Sequence, residues 1–309
     1  MKLAVLIPCY NEEKAIGAVV RDFRAALPGA AIYVYDNNSS DRTIEVARAA
    51  GAIVRREPLQ GKGNVVRRMF ADIEADIYVM VDGDGTYDAA SAPRMVEKLR
   101  AEHLDMVVGS RLKSGTADAF RAGHHFGNRL LTGTVAAIFG DRFDDMLSGY
   151  RVFSRRFVKS FPAVSAGFET ETELAVHALS LRLPVAEIET PYGARPAGSA
   201  SKLRTVRDGI RISWMIVQLF REERPMAFFA LAFAALALAS LALGIPLLIE
   251  FRQTGLVPRL PTALLATGIM LLAFLSLVAG FVLDNVTRGR RESKRLAYLS
   301  QPSLPEQTE

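Results

Sequence analysis

The last third of the chain contains two long stretches without a charged residue, at positions 226–249 and 260–283. A helix rises about 1.5 Å per residue, so about 20 apolar residues can cross a hydrocarbon layer roughly 30 Å thick. The segment 250–259 between the two stretches is too short to form a domain. The pattern therefore predicts a hairpin of two transmembrane helices. The alternative is a helical hairpin buried inside a soluble protein.

Basic residues flank this hairpin on both sides. They are Arg221 and Arg224 before it, and Arg288, Arg290, Arg291, Lys294 and Arg295 after it. Because basic residues mark the cytoplasmic side of membrane spans, both flanks are expected inside and the short loop outside. The sequence thus predicts a multi-pass protein of the inner (cytoplasmic) membrane, with its N-terminal domain and both termini in the cytoplasm.

The net charge is +5, and much of the basic excess lies in the final part of the chain. A nucleic-acid-binding protein more often carries its basic residues on the folded domain, so we expect membrane lipids and no nucleic acid as partners. Small residues in the first span, Ala234, Ala235, Ala239 and Gly244, would let helices pack closely, which leaves a homo-oligomer possible.

The first half of the chain alternates short apolar runs with amphipathic stretches. The runs lie at 3–7, 31–35, 52–54, 77–81 and 104–108, and the helical stretches at 12–26, 41–50, 63–73 and 91–102. Strands that are apolar on both faces and alternate with helices are typical of a mostly parallel sheet with helices on both faces. We therefore predict a Rossmann-like α/β domain with its ligand crevice at the carboxyl ends of the strands.

The rest of the domain is less regular. Helical patterns occupy 121–139 and 170–181, and extended patterns 150–153 and 185–190. Residues 201–220 form a basic amphipathic helix directly before the first span, which favours a position at the membrane interface. The alternative is a helix packed on its own domain. The predicted organisation is a catalytic domain at 1–200, an interfacial helix at 201–224, a transmembrane hairpin at 225–284 and a basic tail at 285–309.

The most informative polar motif is Asp82-Gly83-Asp84, at the end of the fourth predicted strand. Two carboxylates around a glycine suit a hard divalent cation, Mg²⁺ or Mn²⁺, bound together with phosphate oxygens. Such a cation would offset the charge that develops on a departing diphosphate. An Asp-x-Asp sequence alone is also common in turns.

Polar residues also follow the first two predicted strands. Pro8-Cys9-Tyr10-Asn11-Glu12-Glu13 and Asp36-Asn37-Asn38-Ser39-Ser40-Asp41-Arg42-Thr43 offer acceptors for a base or a ribose. Helix capping is an alternative role for Asn11 and Asp41, whereas Asp36 lies too early for it. Cys9 is the only cysteine, so no disulfide within the chain is possible, and we expect it to be buried at a strand end.

These motifs, in this order on alternating strands, resemble family-2 glycosyltransferases. The chain is more narrowly similar to the dolichol- and polyprenyl-phosphate sugar synthases through Gly109-Ser110-Arg111, Ser148-Gly149-Tyr150-Arg151 and the stretch from Arg195 to Lys202. The resemblance covers nearly the whole chain. It implies a nucleotide-diphospho-sugar transferase fold and the transfer of a hexose from a nucleotide donor, UDP-sugar before GDP-sugar, to a polyprenyl phosphate, with inversion at the anomeric carbon.

The resemblance also implies roles for individual residues. Nucleotide-binding residues would be Pro8, Tyr10, Glu12, Asp36, Lys62 and Asp82. Asp82 and Asp84 would hold the metal, and the catalytic residues would be Asp84, Arg111 and Arg151. The lipid phosphate and the diphosphate would be contacted by Arg129, Ser148, Arg195 and Lys202, in addition to Arg111 and Arg151.

The chain departs from the family pattern at three positions. Asn37 stands where a second Asp is frequent, which leaves the base open, and Thr86 stands where some relatives have a Gln near the metal. Glu171-Thr172 stands where many hydroxyl-directed relatives have a Glu-Asp base motif. A phosphate acceptor, with a second pKa of about 6, is already a dianion at neutral pH and requires no general base.

Two other functions compete with this one. A processive polysaccharide synthase on the same catalytic fold usually carries a Gln-x-x-Arg-Trp motif and a membrane channel, but here the only tryptophan, Trp214, follows Ser213. A non-catalytic, membrane-tethered sugar-nucleotide sensor would not need the intact residues Asp82, Asp84 and Arg111. The sequence therefore favours the lipid-phosphate enzyme.

Overall fold

The computed structural model describes residues 1–111, 143–165, 167, 169–193 and 216–304, and the single positions 133, 135 and 214. The chain divides into two compact units, Met1–Ile212 with Ser293–Glu309, and Ser213–Glu292. Most residues of the two helices predicted at 121–139 and 201–220 lie outside the described residues, so both helices stay predictions.

Within the described part of the first unit, seven strands form one sheet in the order β3-β2-β1-β4-β6-β5-β7. The strands are β1 (Leu3–Cys9), β2 (Ala31–Asp36), β3 (Ile53–Arg56), β4 (Ile77–Met80), β5 (Met106–Arg111), β6 (Arg151–Ser154) and β7 (Val185–Thr190). All pairs are parallel except the two that include β6. The mostly parallel α/β sheet predicted from the sequence is confirmed.

Helices pack on both faces of this sheet. They are α1 (Ile16–Ala26), α2 (Thr43–Ala49), α3 (Lys62–Asp72), α4 (Ala92–Ala101), α5 (Arg155–Ser160) and α6 (Thr170–Leu181). Side chains alternate between faces along a strand, so Val79 of β4 joins a core with Phe23 of α1. The neighbouring Tyr78 faces the opposite way, where its ring lies 6.4 Å from that of Phe70 in α3. This two-sided burial explains why the inner parallel strands β1 and β4 carry no charged side chain.

Strand β6 is the part of the sheet that the sequence did not place. The sequence predicts an extended segment here without naming its partners. The strand runs antiparallel between β4 and β5, with Val152 opposite both Val79 and Val107. It therefore begins at the edge where β4 and β5 end. The loop that precedes it, residues 145–150, is brought to the carboxyl ends of the parallel strands.

The second unit contains the two predicted spans. Helices α7 (Pro225–Thr254) and α8 (Leu260–Leu299) are long and apolar enough to cross a membrane. The buried residues of α8, Ala266, Ala273, Gly280 and Thr287, recur every seven positions. Small residues in such a row let two helices approach closely, and the Ser240 hydroxyl donates a hydrogen bond to the Ala266 carbonyl at 2.7 Å. Ala234, Ala235 and Ala239, named in the sequence for close helix packing, are exposed in the single chain, so their packing against another copy stays a prediction.

The end of α8 belongs to the first unit and contacts it on the side away from the strand carboxyl ends. The Tyr298 hydroxyl donates to Oδ2 of Asp105 at 2.9 Å, and Arg156 lies over the Tyr298 ring. Asp105 is buried directly before β5, and its other oxygen accepts from Ser154 at 2.6 Å. The C-terminal segment therefore satisfies a buried carboxylate of the first unit.

We expect Tyr298→Phe to lower the melting temperature of the detergent-solubilised protein. The substitution leaves one oxygen of a buried carboxylate without its donor, which costs about 1–3 kcal/mol and so a few degrees in a domain of this size. The control is Tyr33→Phe, because the Tyr33 hydroxyl has no hydrogen bond among the described residues. Equal melting temperatures for the two variants would contradict the assignment.

Candidate active site

Three loops meet where β1, β2 and β4 end. Cys9 pairs with Asp36 in register, and Leu6 pairs with Met80, so Asp82 lies two residues beyond the last paired position of β4. Parallel strands end at one edge of a sheet, which is why the three polar motifs come together. The structure thus brings these motifs to the edge where the sequence predicts the ligand crevice, and the crevice itself stays a prediction.

The loop that carries the two aspartates is held by side-chain hydrogen bonds. Asp84 is 5% exposed, and its Oδ1 accepts from the Thr86 hydroxyl at 2.7 Å and from the Thr86 amide at 3.2 Å. Thr86 therefore orients Asp84. The resemblance did not suggest this role for Thr86, because some relatives have a Gln at the same position.

Asp82 belongs to a partly buried cluster of charges. The Lys62 ammonium, at the start of α3, lies 2.5 Å from Oδ1 of Asp82 and 2.5 Å from Oε1 of Glu171 in α6. Burial by itself would lower the pKa of Lys62, but the two carboxylates outweigh it and raise this pKa above its ordinary value. Lys62 thus stays charged and ties Asp82 to Glu171.

Two glycines allow the backbone to approach these groups. A Cβ atom on Gly149 would overlap the carboxylate of Asp82, and one on Gly83 would overlap the sulfur of Cys9. Cys9 is buried at the end of β1 as expected, and burial together with the Glu12 and Asp36 carboxylates raises the pKa of its thiol. A protonated, buried thiol has little reactivity.

The loops after β1 and β2 are joined by reciprocal hydrogen bonds. The Glu12 amide donates to the Thr43 hydroxyl at 2.8 Å, and the Glu13 amide donates to Asp41 at 3.1 Å. The Asp41 carboxylate also accepts from the amide and the hydroxyl of Thr43, the first residue of α2, but the N-cap position is Arg42, so Asp41 lies one residue before the cap that was considered for it. Helix α1 begins at Ile16, whose amide donates to the Glu12 carbonyl at 2.9 Å, and not at position 12 as the sequence pattern predicts.

The residues expected around the nucleotide border these loops. Pro8 lies in β1 next to Cys9, and Tyr10 is partly exposed directly after that strand. Asp36 ends β2, is fully buried and accepts from the Ser39 amide at 3.2 Å. The structure brings these residues, Glu12 and Lys62 to one edge of the sheet, and their contacts with a nucleotide stay predictions.

The side chain of Asn37 forms hydrogen bonds within the protein. Its amide nitrogen donates to the carbonyls of Glu57 and Leu59, and its oxygen accepts from the Gly61 amide at 2.7 Å. These bonds hold the loop that leads to Lys62 and α3. The residue that replaces a second Asp therefore positions the neighbouring loop.

The contact predicted for Arg151 must be corrected. Arg151 was expected to contact a lipid phosphate, but it is 0% exposed, and its guanidinium donates to the carbonyls of Met146 and Ser148. The side chain lies under the loop before β6 because β6 is an inner strand. Ser148 is also fully buried, and its hydroxyl donates to the Gly109 carbonyl at 2.6 Å. In this structure both residues shape the loop that carries Gly149.

Arg111 reaches the edge of the sheet but is already paired. Its Nε and Nη2 atoms lie 2.6 and 2.7 Å from the two oxygens of Asp145, and its guanidinium lies over the ring of Tyr192. Asp145 belongs to no local motif and its partner lies 34 positions away, so the sequence alone does not identify it. A phosphate contact through Arg111 stays a prediction.

Arg129, Arg195 and Lys202 lie outside the described residues. The last described residue before Arg195 contacts the aspartate loop, since the Gly193 amide donates to the Thr86 carbonyl at 2.8 Å. Tyr87 and Tyr192 pair next to this bond, with ring centroids 5.2 Å apart. Sequence reasoning gave neither tyrosine a role.

The residues present fit a divalent cation that is shared with a diphosphate. Mg²⁺ and Mn²⁺ prefer oxygen ligands, and Mg²⁺ is usually held by one or two carboxylates plus substrate phosphates. In the described part of the chain no group of three or more His, Cys, Asp or Glu side chains forms a closed metal site. Asp82 and Asp84 are the candidates for the protein's share of such a site, and their contact with a cation stays a prediction.

A family description settles the class of the protein. The model of "Glycosyl transferase family 2" matches residues 4–161, which include β1 to β6 and both aspartates. The chain belongs to this family. It is therefore a glycosyltransferase.

Curated relatives agree with this assignment. Glycosyltransferase AglJ of Haloferax volcanii is 36% identical over 228 residues, which cover 74% of this chain and 75% of that one. A dolichyl-phosphate hexose transferase of the same organism is 29% identical over 223 residues, 72% of this chain and 95% of that one. Protein RfbJ of Shigella flexneri is 60% identical over 122 residues, 40% of this chain and 95% of its own length.

Solved structures share the fold. Glucosyl-3-phosphoglycerate synthase of Mycobacterium tuberculosis, in complex with Mn²⁺, UDP and glucosyl-3-phosphoglycerate, superimposes with a TM-score of 0.56 at 24% identity. The match covers 71% of this chain and 78% of that one. At this identity the likeness concerns the fold alone.

Gly149→Ala should weaken Mn²⁺ binding in the presence of UDP at least tenfold and reduce transfer to a similar extent. The added methyl group would overlap the Asp82 carboxylate and displace it, and close packing does not absorb such an overlap without movement. Gly193→Ala is the matched control beside the same loop, because its Cβ would lie 3.8 Å from the Thr86 carbonyl oxygen. Both variants are titrated with Mn²⁺ by electron paramagnetic resonance, and Gly149→Ala binding like Gly193→Ala would refute the role.

Proposed function

We propose that this enzyme transfers a hexose from a nucleotide-diphosphate donor to a polyprenyl phosphate at the cytoplasmic face of the membrane. The observation that carries the proposal is that one chain combines two aspartates at the carboxyl edge of a glycosyltransferase sheet with two helices able to cross a membrane. The similarity to a dolichyl-phosphate hexose transferase supports the same acceptor class.

UDP is the favoured donor nucleotide and GDP the second choice. The fold shared with a synthase whose structure contains Mn²⁺ and UDP supports this order. The bound cation would neutralise charge on the diphosphate leaving group. Asp82 and Asp84 would hold it, with Thr86 orienting Asp84 and Lys62 orienting Asp82.

In the proposed reaction a phosphate oxygen of the lipid attacks the anomeric carbon of the sugar. The bond from this carbon to the diphosphate breaks, its electron pair leaves with the nucleoside diphosphate, and one displacement inverts the centre. The nucleophile is ionised already, so no proton has to be removed. In agreement with this, Glu171 accepts from the Lys62 ammonium, and the residue after it is a threonine.

The proposed organisation follows the sequence analysis. Residues 1–200 form the catalytic domain, 201–224 an interfacial helix and 225–284 the hairpin, followed by a basic segment on the cytoplasmic side. Helix α8 extends through this basic segment to Leu299, so part of the expected tail is helical.

Asp84→Asn should abolish transfer, because losing one of two carboxylates from a cation site removes an oxygen ligand and a charge. Full-length protein in detergent is incubated with undecaprenyl phosphate and a panel of UDP- and GDP-sugars, and lipid products are identified by mass spectrometry. Asp22→Asn, at an exposed site on α1, is the control. Near-normal turnover of Asp84→Asn, full activity in excess chelator, or extension of an oligosaccharide without any polyprenyl phosphate would each defeat the proposal.

The topology can be tested with an impermeant thiol reagent. Leu256→Cys, in the exposed loop between α7 and α8, should be labelled in intact cells, whereas Ser300→Cys should be labelled only after permeabilisation. Leu256 is preferred to Gly255, whose φ of 69° disfavours any side chain. The unmodified protein, whose one cysteine is buried, is the blank. The reverse labelling pattern would overturn the orientation.

A further inference from the structure

Glu171 has no role in the proposed reaction, yet it is placed inside the site. It is 5% exposed at the start of α6, and Oε1 accepts from the Lys62 ammonium. Among the described residues, no group donates a hydrogen bond to its buried Oε2 atom. A buried carboxylate with an unsatisfied oxygen is costly, so a purely structural position would be better filled by a neutral side chain.

The backbone fixes Glu171 relative to Lys62. Gly63, which follows Lys62, packs so closely on Ser165 and Thr170 that a Cβ atom would overlap the Ser165 carbonyl and come within 2.7 Å of the Thr170 hydroxyl. The first turns of α3 and α6 are therefore in direct contact. The ammonium cannot leave Glu171 without a change of its own rotamer.

The other end of this arrangement is Asp82. Lys62 contacts Oδ1 of its carboxylate, and Gly149 lies against Oδ2. The orientation of Asp82 thus depends on a cation on one side and on backbone on the other. Whatever holds the ammonium in place also determines how Asp82 presents its oxygens.

We propose that Glu171 is a positioning residue that acts through Lys62 to orient the Asp82 carboxylate for the cation and the diphosphate. The inference rests on the proposed function, in which Asp82 belongs to the metal–diphosphate site. The competing role is a general base for a hydroxyl acceptor, which requires a carboxylate able to take up a proton. The two roles demand different properties of residue 171, an acceptor oxygen in the first case and basicity in the second.

Substitutions at position 171 separate the two roles. Glu171→Gln keeps an oxygen that can accept from Lys62 but removes the basicity, whereas Glu171→Met removes both at similar size. We expect Glu171→Met to weaken Mn²⁺ binding in the presence of UDP, and transfer, on the order of tenfold. Glu171→Gln should stay within about threefold of the unmodified protein. Equal loss in the two variants would overturn the proposal, because charge or basicity would then be what matters.

A double-mutant cycle tests whether Glu171 acts through Lys62. In a Lys62→Met background, Glu171→Met should change Mn²⁺ affinity by less than about twofold, since the residue that it positions is gone. If the effects of the two substitutions on Mn²⁺ affinity instead multiplied, Glu171 would act independently of Lys62, which would contradict the proposal. Mn²⁺ affinity is measured on full-length protein in detergent by electron paramagnetic resonance, so that the result does not rely on turnover.

Glu173 on the same helix is the matched control. Its carboxylate accepts from the amides of Val164 and Ser165, which is a local structural role. Glu173→Met should lower the melting temperature and leave Mn²⁺ affinity unchanged at temperatures where the protein is folded. If Glu171→Met had the same two effects, its role would be structural as well and the proposal would fall.

Failure of this inference is distinguishable from failure of the proposed function. If Asp84→Asn still binds Mn²⁺ and transfers sugar, the metal site itself is wrong. If Asp84→Asn is inactive but the Glu171 variants behave alike, only the positioning role is lost.

Discussion

The site depends on the register of the parallel strands. Because Cys9 pairs with Asp36, and Leu6 with Met80, strands β1, β2 and β4 end at one edge of the sheet, and the loops that follow them begin there. Parallel strands need crossover helices, and these helices bury both faces, so the strands contribute mostly apolar side chains between the layers. Most of the polar side chains of the site therefore lie at the strand ends and in the loops that follow them. A one-residue slip in β4 would turn its side chains to the other face and separate the two aspartates from their partners.

A second constraint is that charges brought to this edge are partly buried and need partners. Lys62 is shared by Asp82 and Glu171, Arg111 is matched by Asp145, and the fully buried Arg151 donates to carbonyls of the loop before β6. Such pairs contribute little net stability, because desolvation offsets much of their attraction. Their value is geometric, since a paired and hydrogen-bonded group has few rotamers left. These contacts hold the side chains in place within the protein itself, and groups held in this way are the condition for effective electrostatic stabilisation of a transition state.

The sequence predicted the sheet class, the spans and the aspartate loop because each depends on local pattern. Two-sided apolar runs identify parallel strands, and uncharged stretches of sufficient length identify spans. It could not predict that β6 inserts antiparallel between β4 and β5, because that pairing is a choice among distant partners. The error at Arg151 has the same origin. An arginine at a strand end indicates a ligand contact only if the strand end is open, and the burial of β6 is decided by tertiary packing.

The charge pairs also bear on which acceptors the proposed enzyme can use. A hydroxyl acceptor must lose a proton during attack, so its enzyme keeps a carboxylate available as a base. Here Glu171 accepts from the Lys62 ammonium, so the carboxylate near the position of such a base is already held by a cation of the protein. A nucleophile that arrives ionised does not meet this difficulty, and a lipid phosphate is such a nucleophile at neutral pH. Its requirement is the opposite one, cationic groups that offset the repulsion between two phosphate-bearing substrates. Arg111 and Lys62 lie at the site, but each is matched by carboxylates of the protein. A dianionic acceptor that binds the Arg111 guanidinium would therefore have to compete with the Asp145 carboxylate for it.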